Sequence, residues 1–128
     1  MKEPEWVLRD TVLALHEQSL AQFGGSAGIG DERLLDSALG RSQHLFAYGR
    51  PTLFDLAASY AFGLARNHPF IDGNKRMAFV AAVLFLELNG RVFQAEEVDA
   101  AVRTLALAAG EMSEAEYAKW LKANSRKS

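Results

Sequence analysis

Five side chains able to do chemistry fall within one nine-residue stretch, His68-Pro69-Phe70-Ile71-Asp72-Gly73-Asn74-Lys75-Arg76. Apolar residues at helical spacing lie on both sides of it, Leu53 to Leu64 before and Met77 to Leu86 after. A helix therefore begins inside the stretch, at about Asn74. Its first backbone N–H groups, around Gly73 to Arg76, have no intrahelical acceptors. The helix dipole places partial positive charge at the same point. Together these features make an anion site, and phosphate is its usual occupant. Gly73 has no side chain to obstruct an approaching anion. Lys75 and Arg76 add full charges, and Asn74 can donate or accept hydrogen bonds.

Asp72 sits beside a site suited to anions, and it has two readings. It can hold Mg²⁺, which commonly takes one or two carboxylates together with phosphate oxygens. It can instead be a plain N-cap of the helix. His68 also has two readings. It can take a proton from an attacking hydroxyl, the usual task of imidazole near neutral pH, or it can be a structural histidine. The neighbouring anion site favours the catalytic reading.

The elements that must position these residues are helical. At 128 residues the chain fits a single domain spanning residues 1–128. Six helical patterns appear and no convincing strand, so the expected fold is all-α, one compact bundle of about six helices. The first helix is expected from about Pro4–Glu5, with Leu8, Val12 and Leu15 at helical spacing. The glycine-rich run Phe23 to Gly30 is a loop; no strand precedes it and no GKS or GKT follows, so it is not a phosphate-binding P-loop. Asp31 caps a second helix that ends at Tyr48-Gly49-Arg50-Pro51. Thr52 caps a third, which must stop near Asn67 because Pro69 disfavours the α conformation at His68. The fourth runs to Leu88, is apolar all round and so is central, with Asn89-Gly90 closing it. Arg91-Val92-Phe93 is too short to be read as a strand. Val98, Val102 and Leu105 mark a fifth helix ending near Gly110. Ser113 and Glu116 form a capping box for a sixth, with Tyr117, Trp120 and Leu121 inward. Ser125 to Ser128 are expected to be a frayed tail.

Composition excludes several functions. With no cysteine, disulfide and thiolate chemistry are absent, and with only three scattered histidines a zinc site is not expected. A net charge of −2 argues against direct nucleic-acid binding. The longest apolar run, Met77 to Leu86, is too short to span a membrane, and Met1 to Trp6 has no apolar signal region. A cytoplasmic location is expected. His16 and His44, on helices far from the motif in sequence, are expected to be surface or packing residues. Trp6, Trp120 and the phenylalanines are expected in the core.

The nine-residue stretch resembles the signature of the Fic/Doc family, in its death-on-curing (Doc) toxin form. The general Fic pattern is His-Pro-Phe-x-Asp/Glu-Gly-Asn-Gly-Arg, with a further arginine three positions on. Here Lys75 replaces the second glycine and Phe79 the further arginine, both as in Doc-type chains. Phe23-Gly24-Gly25, Leu34 to Arg41 and Leu84 to Gly90 also resemble the Doc pattern, so the likeness covers roughly residues 12 to 112.

The resemblance implies a Fic/Doc-like fold and a transferase using ATP and Mg²⁺. It implies His68 as general base and Asp72 as metal ligand, with Gly73, Asn74, Lys75 and Arg76 as the phosphate cradle. Arg66 matches a basic Doc position and is either a site residue or a surface charge. Most Fic proteins move AMP onto a protein hydroxyl. Doc toxins are understood to bind ATP in the reverse sense, to transfer phosphate to elongation factor Tu and so to arrest translation. An AMP transferase and an inactive binding module are the alternatives; intact His68, Asp72, Asn74 and Arg76 speak against the latter. No Ser or Thr here has Glu four positions on, so the inhibitory Ser/Thr-x-x-x-Glu helix of many Fic proteins is missing. The resemblance then implies a separate antitoxin protein acting in trans. The segment from His44 to Leu53 is either a flap holding the target chain or a simple turn.

Overall fold

The expected breaks are found for five of the six helices in the computed structural model, which describes residues 1–128. The helices are α1 (Arg9–Phe23), α2 (Glu32–Tyr48), α3 (Leu53–Asn67), α4 (Asn74–Leu88), α5 (Glu97–Ala109) and α6 (Glu114–Ala123). Their starts follow from capping chemistry. The Asp31 carboxylate accepts the N–H groups of Arg33 and Leu34 at 2.9 and 3.1 Å. Thr52 with Asp55, and Ser113 with Glu116, close reciprocal capping boxes that satisfy orphan donors at both ends of each pair.

The first helix begins at Arg9, not near Pro4–Glu5. Other partners take the backbone there. The Asn89 side chain binds both the N–H and the C=O of Glu5, and Val7 N–H donates to the Tyr60 hydroxyl. Residues before Arg9 thus lie extended along the bundle, with Trp6 against Phe46 and Phe85.

A second departure joins two segments. Arg91–Phe93 is a strand, β1, and Ser125–Lys127 is a strand, β2, rather than a frayed tail. They pair antiparallel, Arg91 opposite Lys127 and Phe93 opposite Ser125. Three residues are too few to show an alternating pattern, and the partner lies more than thirty positions away. Phe93 anchors the ribbon, its ring 5.7 Å from Phe79 and 5.2 Å from Trp120.

Helix α3 lies at the centre, packed on α2, α4 and α6. Nine of its fifteen residues are buried, from Leu56 to Ala65. Across from it α4 buries Met77, Ala78, Ala81, Ala82, Phe85 and Leu86. Tyr117, Trp120 and Leu121 of α6 complete the core as expected. In α5 the buried residues are Ala100, Thr104 and Leu107, while Val98, Val102 and Leu105 are exposed. That stripe marks the helix but does not face the core. No helix is long and apolar enough to cross a membrane.

Candidate active site

Residues 68 to 73 connect α3 to α4 through the heart of the motif. His68 ends α3 in the left-handed region, φ 50° and ψ 53°, and no other non-glycine residue has positive φ. The following proline removes the right-handed alternative. Left-handed backbone costs an L-residue about 1–2 kcal/mol. The surrounding hydrogen bonds must supply this, and they leave the His68 side chain exposed.

Those bonds come from the glycine-rich loop. Gly30 and Asp31 N–H both donate to the Pro69 carbonyl at 2.7 and 3.1 Å, and Ile71 N–H donates to Gly28 at 3.1 Å. Ile29 and Phe70 form an isolated bridge between the same segments. The loop is a loop, as expected, but also a mould for the motif. Gly25 has φ +119°, and a Cβ there would sit 2.8 Å from Asp72 Oδ2.

Asp72 is exposed and does not cap α4 as a plain N-cap would. Its Oδ1 accepts from Gly73 N–H at 2.8 Å and its Oδ2 from Ser26 N–H at 3.3 Å. Two backbone donors fix the carboxylate and leave lone pairs for a cation. No group of three or more His, Cys, Asp or Glu side chains gathers anywhere in the chain. One carboxylate suits Mg²⁺ completed by phosphate oxygens and water, not a metal caged by protein alone.

Gly73, at φ 81°, is the N-cap of α4, and no side chain caps this helix. Its own N–H is taken by Asp72, so it contributes a turn and a bare surface rather than a donor. The next three N–H groups, of Asn74, Lys75 and Arg76, meet no acceptor; the first bond of the helix is Met77 N–H to Gly73. These three donors, at the positive end of α4, are the candidate anion site. Lys75 is exposed beside them. Arg76 is held from α1: it donates to Ser19 Oγ at 3.1 Å, and its guanidinium lies 4.5 Å from the Phe23 ring centroid.

Asn74 offers its backbone N–H at the helix start, while its amide group is engaged elsewhere. Its side chain is buried, with Oδ1 accepting from Phe70 N–H and Nδ2 donating to the Phe70 carbonyl, each at 2.9 Å. It braces the loop, and only its backbone faces the anion site. Arg66 also stands apart: its guanidinium covers the Phe62 ring at 5.4 Å and approaches Gly110, with no hydrogen bond or ion pair to the motif. His44 stacks near Tyr48 in the α2 terminus.

Sequence reasoning missed His16. It is buried on α1, stacks on Phe70 with ring centroids 3.9 Å apart, and its Nε2 lies 2.8 Å from the Asp72 carbonyl. Nothing in the spacing signalled this, since the two residues are 56 positions apart. Phe23 is the other surprise, exposed beneath Arg76 rather than in the core. Next to it opens a mainly apolar groove of about 870 Å³. Phe23, Phe79, Val83, Phe93 and Leu105 line it, and Lys75 and Arg76 stand at its edge. Another recess, at Arg41, is poorly suited to chemistry because Arg41 is already paired with Glu114 at 3.0 Å.

Comparison with known proteins agrees with this arrangement. The model of the Fic/DOC family matches residues 6–86. The protein kinase doc of Escherichia phage P1 is 37% identical over 115 residues, covering 88% of this chain and 90% of that protein. The toxin Doc of Mycolicibacterium smegmatis is 48% identical over 71 residues, and the match spans 53% of this chain and 54% of that protein.

Proposed function

The chain belongs to the Fic/DOC family, and from that premise we propose that it is a Doc-type toxin kinase, transferring phosphate from ATP to a hydroxyl of elongation factor Tu and so arresting translation. The observation that carries this reading is the set of three acceptor-free N–H groups at Asn74, Lys75 and Arg76, in the same motif as exposed His68 and exposed Lys75. Phosphoryl transfer depends chiefly on positioning and on neutralising charge, which such a cradle supplies.

In the proposed reaction the terminal phosphate of ATP lies against these donors. His68 accepts the proton of the target hydroxyl as its oxygen bonds to the γ-phosphorus. The bond from that phosphorus to the bridging oxygen breaks, and ADP leaves with the electron pair. Lys75 and Arg76 stabilise the charge. Mg²⁺ held by Asp72 would neutralise phosphate oxygens. Phosphate rather than AMP is favoured by position 79. Where AMP-transferring relatives of the family place an arginine, Phe79 packs edge-on against Phe93 and carries no charge for a diphosphate.

The segment from His44 to Leu53, the end of α2 and the loop after it, with Tyr48 81% exposed, is the surface proposed to hold the target chain. The apolar groove beside Arg76 is the proposed seat of an antitoxin segment that folds on binding and inhibits in trans. The cytoplasm is the proposed place of action, since the translation factor is there.

The test incubates the protein with purified elongation factor Tu, Mg²⁺ and ATP and weighs the target by mass spectrometry. One added phosphoryl group is expected, and none with His68→Ala. An adenylyl adduct would replace this reading with AMP transfer, and an unmodified target would remove elongation factor Tu as substrate.

A further inference from the structure

We propose that His16 is a positioning residue that keeps the phosphate site of α4 open. The proposal deepens the reading above, because it takes the free N–H groups as the phosphate cradle. In an α-helix each N–H bonds to the carbonyl four residues earlier, so the natural acceptor for Arg76 N–H is Asp72. That bond is not made. The Asp72 carbonyl instead lies 2.8 Å from His16 Nε2. A carbonyl only accepts, so Nε2 carries the proton and donates.

Gly73 makes the arrangement reversible in principle. Its φ of 81° and ψ of 15° turn the Asp72 carbonyl out of the helix direction. Glycine adopts right-handed and left-handed backbone with nearly equal ease, so nothing in Gly73 itself selects the open form. With the donor removed, Gly73 can relax to the right-handed form and α4 can start one residue earlier. Arg76 N–H would then bond to Asp72 and be lost to phosphate. The turn that aims the Asp72 carboxylate would move with it.

His16 is built for a fixed hold. It is 4% exposed, its ring lies nearly parallel to Phe70 at 15°, and a Cβ on Gly73 would be only 3.6 Å from Nε2. Phe70 is itself tied to Asn74 through both main-chain groups. One and two turns along α1, Ser19 and Phe23 hold the Arg76 guanidinium. A single face of α1 therefore governs both the backbone and the side-chain charge of the cradle.

Two variants separate the hydrogen bond from the packing. His16→Gln keeps a donor at similar reach, and His16→Phe keeps a ring to stack on Phe70 without a donor. The first measurement is the dissociation constant of the full chain for ATP with Mg²⁺, read as a titration midpoint. A smaller folded fraction lowers the amplitude of such a titration, not its midpoint. His16→Phe is expected to bind ATP about tenfold more weakly, as for a lost hydrogen bond to a charged group, with His16→Gln close to wild type. Equal affinity in wild type and His16→Phe overturns the proposal, as does an equal loss in both variants. The second measurement is amide hydrogen exchange at Arg76 by NMR, which needs no nucleotide and stands even if the kinase reading fails. Slower exchange at Arg76 in His16→Phe alone is expected. Unchanged exchange in that variant overturns the proposal.

Discussion

Replacing Asn74 with alanine distinguishes a brace from a ligand. The Asn74 side chain bonds to both main-chain groups of Phe70, a residue only 2% exposed. Alanine leaves a buried N–H and a buried C=O without partners. Each such group costs about 1–3 kcal/mol, so the pair should cost roughly 2–5 kcal/mol, allowing for some relaxation. Against a total stability of about 5–15 kcal/mol this is a large fraction. For a domain of this size the melting temperature should fall by roughly 6–20 °C. Differential scanning calorimetry on purified protein measures the loss directly. Asn74→Asp serves as the intermediate case, since a carboxylate still accepts from Phe70 N–H but cannot donate to its carbonyl. It should lie between wild type and Asn74→Ala. If Asn74→Ala melted like wild type and lost only ATP affinity, the side chain would be facing the ligand and this reasoning would be wrong.

Three further outcomes are expected. His68→Gly should lose about 10²–10⁴-fold in phosphoryl transfer, as for a missing general base, yet melt no lower than wild type, because glycine relieves the left-handed backbone; a lower melting temperature would count against that backbone assignment. Gly25→Ala should displace the Asp72 carboxylate, given a Cβ 2.8 Å from its Oδ2 at φ +119°, so Mg²⁺ titrations of transfer should shift to higher metal concentration; an unchanged titration would count against Asp72 as the ligand. Asp99 accepts from Trp120 Nε1–H and from Arg103, which hold its pKa below the ordinary 3.8. A lowered carboxylate pKa stabilises the fold above the ordinary value and loses that contribution as pH falls through the folded one. Urea unfolding at several pH values should thus show wild type more stable than Asp99→Asn near neutrality, with the gap closing in acid.

Local chemistry explains which features were legible in the sequence. Asp31, Thr52 and Ser113 announced three helix starts because capping acts over two or three residues. Pro69 announced the end of α3 for a similarly local steric reason. The free N–H groups of the α4 start were legible because the proline before them, a glycine and the helix start adjoin in the chain. What remained hidden is held by distant partners. Glu5 is drawn off the first helix by Asn89, and Arg91–Phe93 becomes a strand only against Ser125–Lys127. His16 looked like any helical histidine until the fold brought it to Asp72. The bonds of the Asn74 side chain to Phe70 were not legible because an amide can serve a ligand or the backbone equally, and only coordinates distinguish the two. The exposed stripe on α5 followed the helical period faithfully, but a period does not say which face is covered.

The attachment of the motif to α1 bears on how this protein loses activity. Only Val12, His16 and Ser19 of the fifteen residues of α1 are buried, whereas α3 buries nine of fifteen. A helix with so few fully buried side chains should open in local excursions that leave the rest of the bundle intact. Each excursion withdraws His16, Ser19 and Phe23 from the motif together. On warming, catalytic competence should disappear while circular dichroism still reports a folded bundle. A protease that nicks between Arg9 and Phe23 should silence the protein long before it degrades the core.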